Sequence, residues 1–427
     1  MGLSMYDWLA RDDALPSSAS VPLNDPTAPR VDPSRYRSMI AYSDAQMRYP
    51  ERVVVALLAD AAEIACESKL SLTVATYGEL QFADDNWRLT SPLLDQPLGF
   101  RPALIVNACG ASGDASLHAI GAVAAPLFGG TKGSHVLTWH AGLRQALNGQ
   151  AVYAEAHDGR PVFTLPFGDG VLIGTTDEAF QGDPEDAIAT DEEIQYLLEM
   201  VYQVFAIPLT RDDVTAHYSG VRPLPHADSA SNAAISRDHS LVWHTAHDVP
   251  VLTLVGGKLT TWRSFAEEVT NHVLGKLGYT RLHDTLRRRI PGNDPLPDNP
   301  SLNSQFENWA REAGTTTAEV SALWPLLGTR VRDLLLAVGH EPRHAIADTP
   351  ISDRSVRWII RQEHVATLDD LVERRLLTVF QATLSLQHLH DLAACLVETG
   401  SLAKENAAEA VAAAAARLSR HFGRRLR

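Results

Sequence analysis

The stretch "VGGKLTTWRSF", residues 255–265, decides how this chain is read. It closes an apolar run, "VPVLTLV" at 249–255, and leads into a helical pattern. A strand that ends in Gly-Gly and turns into a helix presents free backbone N–H groups and the positive end of the helix dipole. Such a junction accepts negative charge. Gly256 and Gly257 allow close approach of a ligand to the backbone, Thr260 or Thr261 can cap the helix, and Lys258 adds a full positive charge. A phosphate, a carboxylate or an anionic ring system would each fit. The junction is not a P-loop, because Leu252 and Leu259 stand where that motif needs Gly and Ser or Thr. The plainer alternative is a glycine turn with a solvated lysine.

Upstream of the junction, "SLVWHTA" at 240–246 and a turn at His247-Asp248 complete a hairpin with 249–255. Farther upstream come "HVLTWH" (135–140), "AVYAEA" (151–156), "PVFTLPF" (161–167) and "VLIGTT" (171–176), with turns at 157–160 and 168–170. Short strands joined by Asp-Gly turns predict an antiparallel meander. Thr190 and Glu193 form a capping box. Ile194, Leu197, Leu198, Val201, Tyr202 and Phe205 follow at helical spacing and form one apolar face. Residues 48–65 read as a helix with Pro50 in its first turn, and 262–277 as a helix ended by Gly278. Residues 70–74 and 103–107 are short apolar strand candidates. A Pro/Asn/Asp-rich linker spans 291–300, and only helices follow it.

The 427 residues suffice for two or three domains. A net charge of −15 argues against a general nucleic-acid binder. Cys66, Cys109 and Cys395 are too few and too widely spaced for a disulfide framework or a zinc site, which favours a reducing compartment. His388 and His390 lie two apart on a helix and face different ways, so no metal site is read there. No apolar run has the length of a membrane span, and the opening "MGLSMYDWLARDD" is not a signal peptide.

Two arginines stand upstream of the junction: Arg222 in "YSGVRPLP" and Arg237 in "AISRDHSLVW". Paired guanidinium groups grip a phosphate bidentately; each alone is more often a surface ion pair. "TKGSHV" places Lys132 and His135 after a glycine pair, and a histidine can move a proton near neutral pH. "VNACGASGD" (106–114) is a second strand followed by a glycine turn.

Taken in order, "VNACG", "TKGSHV", "VFTLPF", "LIGTTDE", "YSGVRPLP", "SRDH" and "GGKLTTWR" resemble the FAD-dependent glycerol-3-phosphate dehydrogenases. "YSDAQMRYPERVVVALLADA" resembles that family's lead into the substrate domain, and "RWIIRQEHVATLDDLVERR" (357–375) its helical carboxy-terminal domain. The resemblance implies an α+β/α/β fold with four parts. These are a leading segment and helix (1–66), a partial FAD-binding domain of the glutathione-reductase type (67–130 and 250–290), an antiparallel substrate-binding domain (131–249) and an all-helical domain (300–427). It implies flavin-dependent oxidation of sn-glycerol 3-phosphate to dihydroxyacetone phosphate, with electrons passed to quinone. By motif, Arg222 and Arg237 resemble the phosphate-binding arginines, and Lys258 and His135 the catalytic pair beside the flavin. Ala108, Gly110, Gly256, Gly257, Leu259 and Thr260 are similar to the residues that contact the cofactor. The resemblance further implies a cytoplasmic enzyme peripheral on the inner face of the membrane. The basic end, 417–427, is a candidate contact for anionic lipid, and a homodimer is compatible with the family.

One family element is not found. No strand followed by G-x-G-x-x-G occurs in the 427 residues, nor the Ser/Thr- and Gly-rich segment that follows it in the family. Three readings follow: a fragment or a start placed too far downstream, a separate polypeptide that supplies the unit, or a truncated homologue acting as a phosphate-binding or interaction module. Because the site motifs are near-intact, the first is favoured, and the chain alone is expected to purify without flavin colour. A smaller departure is Ala111-Ser112, where the family has Pro-Trp. An amino-acid oxidase of the same flavoprotein fold is the weaker alternative, since a carboxylate alone does not call for both arginines.

Overall fold

The computed structural model describes residues 16–226, 238–296, 301–339 and 343–426. Four sheets form among them. β1 (Ala19–Val21) and β2 (Met39–Ala41) make a small antiparallel pair. β3 (Glu79–Ala83), β4 (Asn86–Thr90) and β5 (Leu98–Phe100) form a three-stranded antiparallel sheet. β6 (Ile105–Asn107) belongs to a third sheet whose other strands lie far along the chain.

The largest sheet comprises β7 (Thr131–Thr138), β8 (Val152–Glu155), β9 (Pro161–Phe167), β10 (Gly170–Gly174), β11 (Glu178–Ala179) and β12 (Val214–Arg222). The predicted meander is present in part: β8, β9 and β10 pair consecutively and antiparallel, whereas β7 joins antiparallel beyond β10, the helix Ala141–Leu147 standing between β7 and β8 in the chain. Gly168, at φ 55°, provides the turn between β9 and β10. β12 pairs with β7 on its other side and is an edge strand among the described residues. The capping box forms as read, with the Thr190 N–H donating to Glu193 and the Glu193 N–H to the Thr190 hydroxyl. The helix Asp191–Phe205 then buries Ile194, Leu197, Leu198, Val201 and Phe205 against this sheet. Tyr202, counted on that apolar face, is instead exposed, because it sits at the rim of the stripe.

β13 (Ser240–Ala246) and β14 (Val249–Val255) form the expected hairpin about His247 and Asp248, both in the left-handed region. β14 pairs in parallel with β6, so the third sheet runs β13-β14-β6. β13, assigned by sequence to the antiparallel unit of 131–249, therefore lies with the parallel pair. The residues 70–74 do not form a strand; Leu70 and Leu72 are exposed, and no described strand lies beside them to complete a ladder.

The leading segment divides. Arg30 and Asp32 donate backbone N–H groups to Ala146 and Val204, so this part joins the large sheet's core. The helix Pro50–Glu67, with proline at its first position as predicted, packs on the carboxy-terminal helices instead. Beyond residue 301 the described elements are helical and share one apolar core. That domain sends its last helix, Ala407–Phe422, onto β12. No described helix is long and apolar enough to cross a membrane.

Candidate active site

β7 divides its side chains by strand alternation. Lys132, Ser134 and Val136 face the helix Asp191–Phe205, whereas Gly133 and His135 face the other way. Lys132, one of the two polar residues singled out after the glycine pair, is thus buried away from the site. Its ammonium lies 2.8 Å from Glu193 and donates to the Ile188 carbonyl. A cleft of about 510 Å³ opens on that same reverse face, bordered by Lys132, Arg160, Glu193 and Tyr196, and contains none of the residues predicted to be catalytic.

On the front face, His135 stands opposite Gly174 of β10 and Tyr218 of β12. A Cβ at Gly174 would come within 2.4 Å of the imidazole, so only glycine leaves the ring its place. Tyr218 stacks on the ring at 4.7 Å with an interplanar angle of 7°. His135 Nδ1 is buried and has no hydrogen-bond partner among the described residues. Burial, and then the Arg222 charge, push the His135 pKa down to about 4. The imidazole is neutral at pH 7 and free to accept a proton.

Arg222, at the end of β12, lies over Gly133; a Cβ there would meet its guanidinium at 2.7 Å. One guanidinium nitrogen donates to Asp177 at 2.8 Å, and the other to the Thr176 carbonyl at 3.3 Å and the Thr175 hydroxyl at 3.4 Å. The pair is partly exposed, at 34% and 27%. Asp177 aims the fork and offsets part of its charge. Sequence reasoning did not single out Gly133, Gly174, Thr175, Asp177 or Tyr218. Their signal was the pairing of "TKGSHV" with "LIGTTDE" and "HYSGVR", which becomes visible only once the register is known.

The second part of the site lies at the carboxyl ends of the parallel strands. Thr253 pairs with Asn107, so the turn after β6 and the turn after β14 emerge together. Gly110, Gly256 and Gly257 all take positive φ, at 60°, 75° and 103°. A Cβ at Gly256 would strike the Asp238 carbonyl at 2.8 Å, whereas Gly110 borders open space. Ala108, Lys258, Leu259 and Thr260 are exposed. The Lys258 ammonium has no hydrogen-bond or ion-pair partner among the described residues. The short turn Gly110–Ser112 packs against β12 and joins this end to the strand that carries Arg222. No hydrogen bond joins Lys258 to Arg222 or His135. Arg237 lies outside the described residues; the chain resumes at Asp238, against Gly256.

In open α/β sheets, ligands bind beyond the carboxyl ends of parallel strands. Two glycine turns, an unpartnered lysine and exposed small or hydroxyl residues there fit the ring end of a flavin. Among the described residues no such cradle appears for the pyrophosphate end. The sequence contains no G-x-G-x-x-G, and no described strand pairs with the free edge of β6. No described group of three or more His, Cys, Asp or Glu could hold a metal ion.

Comparison with known proteins gives the class of the chain. The family model for FAD dependent oxidoreductases, DAO, matches residues 6–263, and the chain belongs to that class. Glycerol-3-phosphate dehydrogenase of Synechocystis sp. is 30% identical over 402 residues, covering 88% of this chain and 70% of the relative. D-erythritol 1-phosphate dehydrogenase of Brucella abortus is 28% identical over 395 residues, covering 88% and 74%. The structure of glycerol-3-phosphate dehydrogenase from Bacillus halodurans, complexed with FAD, superposes with a TM-score of 0.75 at 22% identity, over 93% of this chain and 77% of that one. Within the FAD-dependent oxidoreductases, this chain is a member of the glycerol-3-phosphate dehydrogenase family.

Proposed function

We propose that the chain oxidises sn-glycerol 3-phosphate to dihydroxyacetone phosphate and that the electrons pass on to a quinone. FAD, when bound at the glycine turns after β6 and β14, supplies the acceptor for the hydride that leaves C2. Arg222, aimed by Asp177, holds the substrate phosphate, with Arg237 as its intended second arm. His135 takes the proton of the C2 hydroxyl onto its neutral imidazole as the carbinol becomes a ketone. Lys258 offers its charge to the substrate oxygen or to the electron-rich edge of the flavin, where it stabilises negative charge as it develops. Ala108, Gly110, Gly256, Gly257, Leu259 and Thr260 line the ring end of the cofactor.

The observation that carries this reading is the placement of the partly buried His135 imidazole and the anchored Arg222 guanidinium on one face of the large sheet, where a Cβ at Gly174 or Gly133 would collide with them. The relatives named for dehydrogenation of phosphorylated polyols support the substrate class. Anaerobic mixing of the FAD-reconstituted protein with glycerol 3-phosphate should bleach the flavin absorbance. His135→Gln should slow that bleaching by roughly 10²–10⁴-fold. Arg222→Ala removes a charge-assisted contact and should raise KM by roughly 10–100-fold. A KM unchanged in Arg222→Ala removes the phosphate assignment. Flavin that reconstitutes but never bleaches removes the reaction. Membrane attachment through the basic end is weakly supported, since Arg417 pairs with Glu373, Arg420 pairs with Asp186 and Arg424 is buried.

A further inference from the structure

We infer that the carboxy-terminal helical domain positions the active-site histidine through an aromatic column, Phe422–Phe380–Tyr218–His135, so that Phe380 and Tyr218 are positioning residues for the oxidation. This rests on the role proposed for His135. The column begins in the turn Thr378–Phe380 of the helical domain. Phe380 meets Tyr218 edge-on, with centroids 5.6 Å apart at 61°. It also meets Phe167 of β9 at 5.6 Å and 84°, and Phe422 at 6.3 Å. Tyr218 in turn lies flat on His135. Aromatic pairs at these distances prefer edge-to-face or offset arrangements, so each ring restricts the next.

The domain also grips the other side of the same strand. β12 is an edge strand among the described residues, and its successive side chains point to opposite faces. Tyr218 meets Phe380 on one face. His217 meets Gly423 on the other, so closely that a Cβ on Gly423 would lie 2.3 Å from its Nε2. Gly423 is at φ 61°, where glycine is favoured. Arg424, buried beside it, donates to the Gln381 carbonyl at 2.7 Å and so fixes the chain next to Phe380. The clamp therefore closes over both faces of β12, and the ring touching the histidine takes its support from residues about 160 to 200 positions later in the chain.

The column has two effects. It keeps water from one face of the imidazole, and it holds the ring plane while a substrate is bound. Among the described residues, the charge that acts on His135 is Arg222 on β12, which pairs with Asp177, while Tyr218, stacked on the ring, itself feels Glu51. Phe380→Ala leaves all of them in place and removes only the support.

The test is an NMR titration of the His135 ring in the chain without flavin, assigned by its loss in His135→Gln. The ring should titrate near pH 4 in the parent. In Phe380→Ala its midpoint should rise by at least about one pH unit, a tenfold change in the proton equilibrium. Phe380→Leu, which keeps the apolar cover, should restore most of the shift. In FAD-reconstituted protein, Phe380→Ala should lower kcat while leaving KM for glycerol 3-phosphate near the parent value. If Phe380→Ala does not fold, Tyr218→Leu tests the same column from within the sheet. A histidine midpoint unmoved in a folded Phe380→Ala or Tyr218→Leu protein overturns the inference. A moved midpoint with full activity in His135→Gln would keep the column and instead remove the catalytic role of the histidine.

Discussion

At the scale of single residues, the site depends on what is missing from two positions. Gly133 and Gly174 have no Cβ where the Arg222 guanidinium and the His135 ring lie. Gly174→Ala is expected to displace the imidazole and reduce the rate of flavin reduction at least tenfold with little change in secondary structure, measured by rapid mixing and circular dichroism. His135 also links the site to acid stability. Its folded pKa, about 4, lies below the usual histidine value near 6.5, so between those limits the unfolded chain binds the extra proton. Stability is full above pH 6.5 and falls as the pH drops toward 4, by about 3 kcal/mol from this group. His217, also pushed down to about 4 by burial, acts in the same direction. Urea midpoints at pH 7 and pH 5 check this: the loss on acidification should shrink in His135→Gln.

At the scale of elements, β7 serves two masters on its two faces. The reverse face carries a buried polar knot in which Glu193 receives Lys132 at 2.8 Å, the Ser134 hydroxyl at 2.8 Å and the Thr176 hydroxyl at 2.7 Å. Glu193→Ala strands a buried ammonium and is expected to cost about 3–5 kcal/mol in urea denaturation, whereas the double change Lys132→Met/Glu193→Leu should recover most of it. This strand shows how much a one-dimensional reading reveals. The meander, the capping box and the hairpin about His247 were legible because their signals are local: turn residues, spacing and caps. Lys132 was ambiguous because facing is decided by register against β10 and β12, which lie about 40 and 85 positions away. The residues 70–74 have the composition of a strand, but a strand needs a neighbour, and composition does not reveal one. Arg222 and Lys258 stood out by motif, while Asp177 and Tyr218 did not, since neither belongs to a local pattern.

At the scale of the whole molecule, distant segments are joined by buried charge. Arg52, in the helix Pro50–Glu67, donates to Glu363 at 2.8 Å and to the Leu326 carbonyl at 2.8 Å. Both charged side chains are almost fully buried, at 5% and 1%. Glu363→Ala is expected to destabilise the protein by about 3–5 kcal/mol and to lower the melting temperature measured by calorimetry. The clamp on β12 has its own consequence in time. Ribosomes release chain at ~5–20 residues per second, so β12 leaves the tunnel roughly 10–40 s before the segment that will flank it. During that interval both faces of this edge strand lie uncovered, and neighbouring nascent chains can pair with it. Synthesis that halts before Phe380 should therefore yield inclusion bodies instead of a soluble remnant, and slowing translation late in the message should lower the soluble yield more than slowing it early.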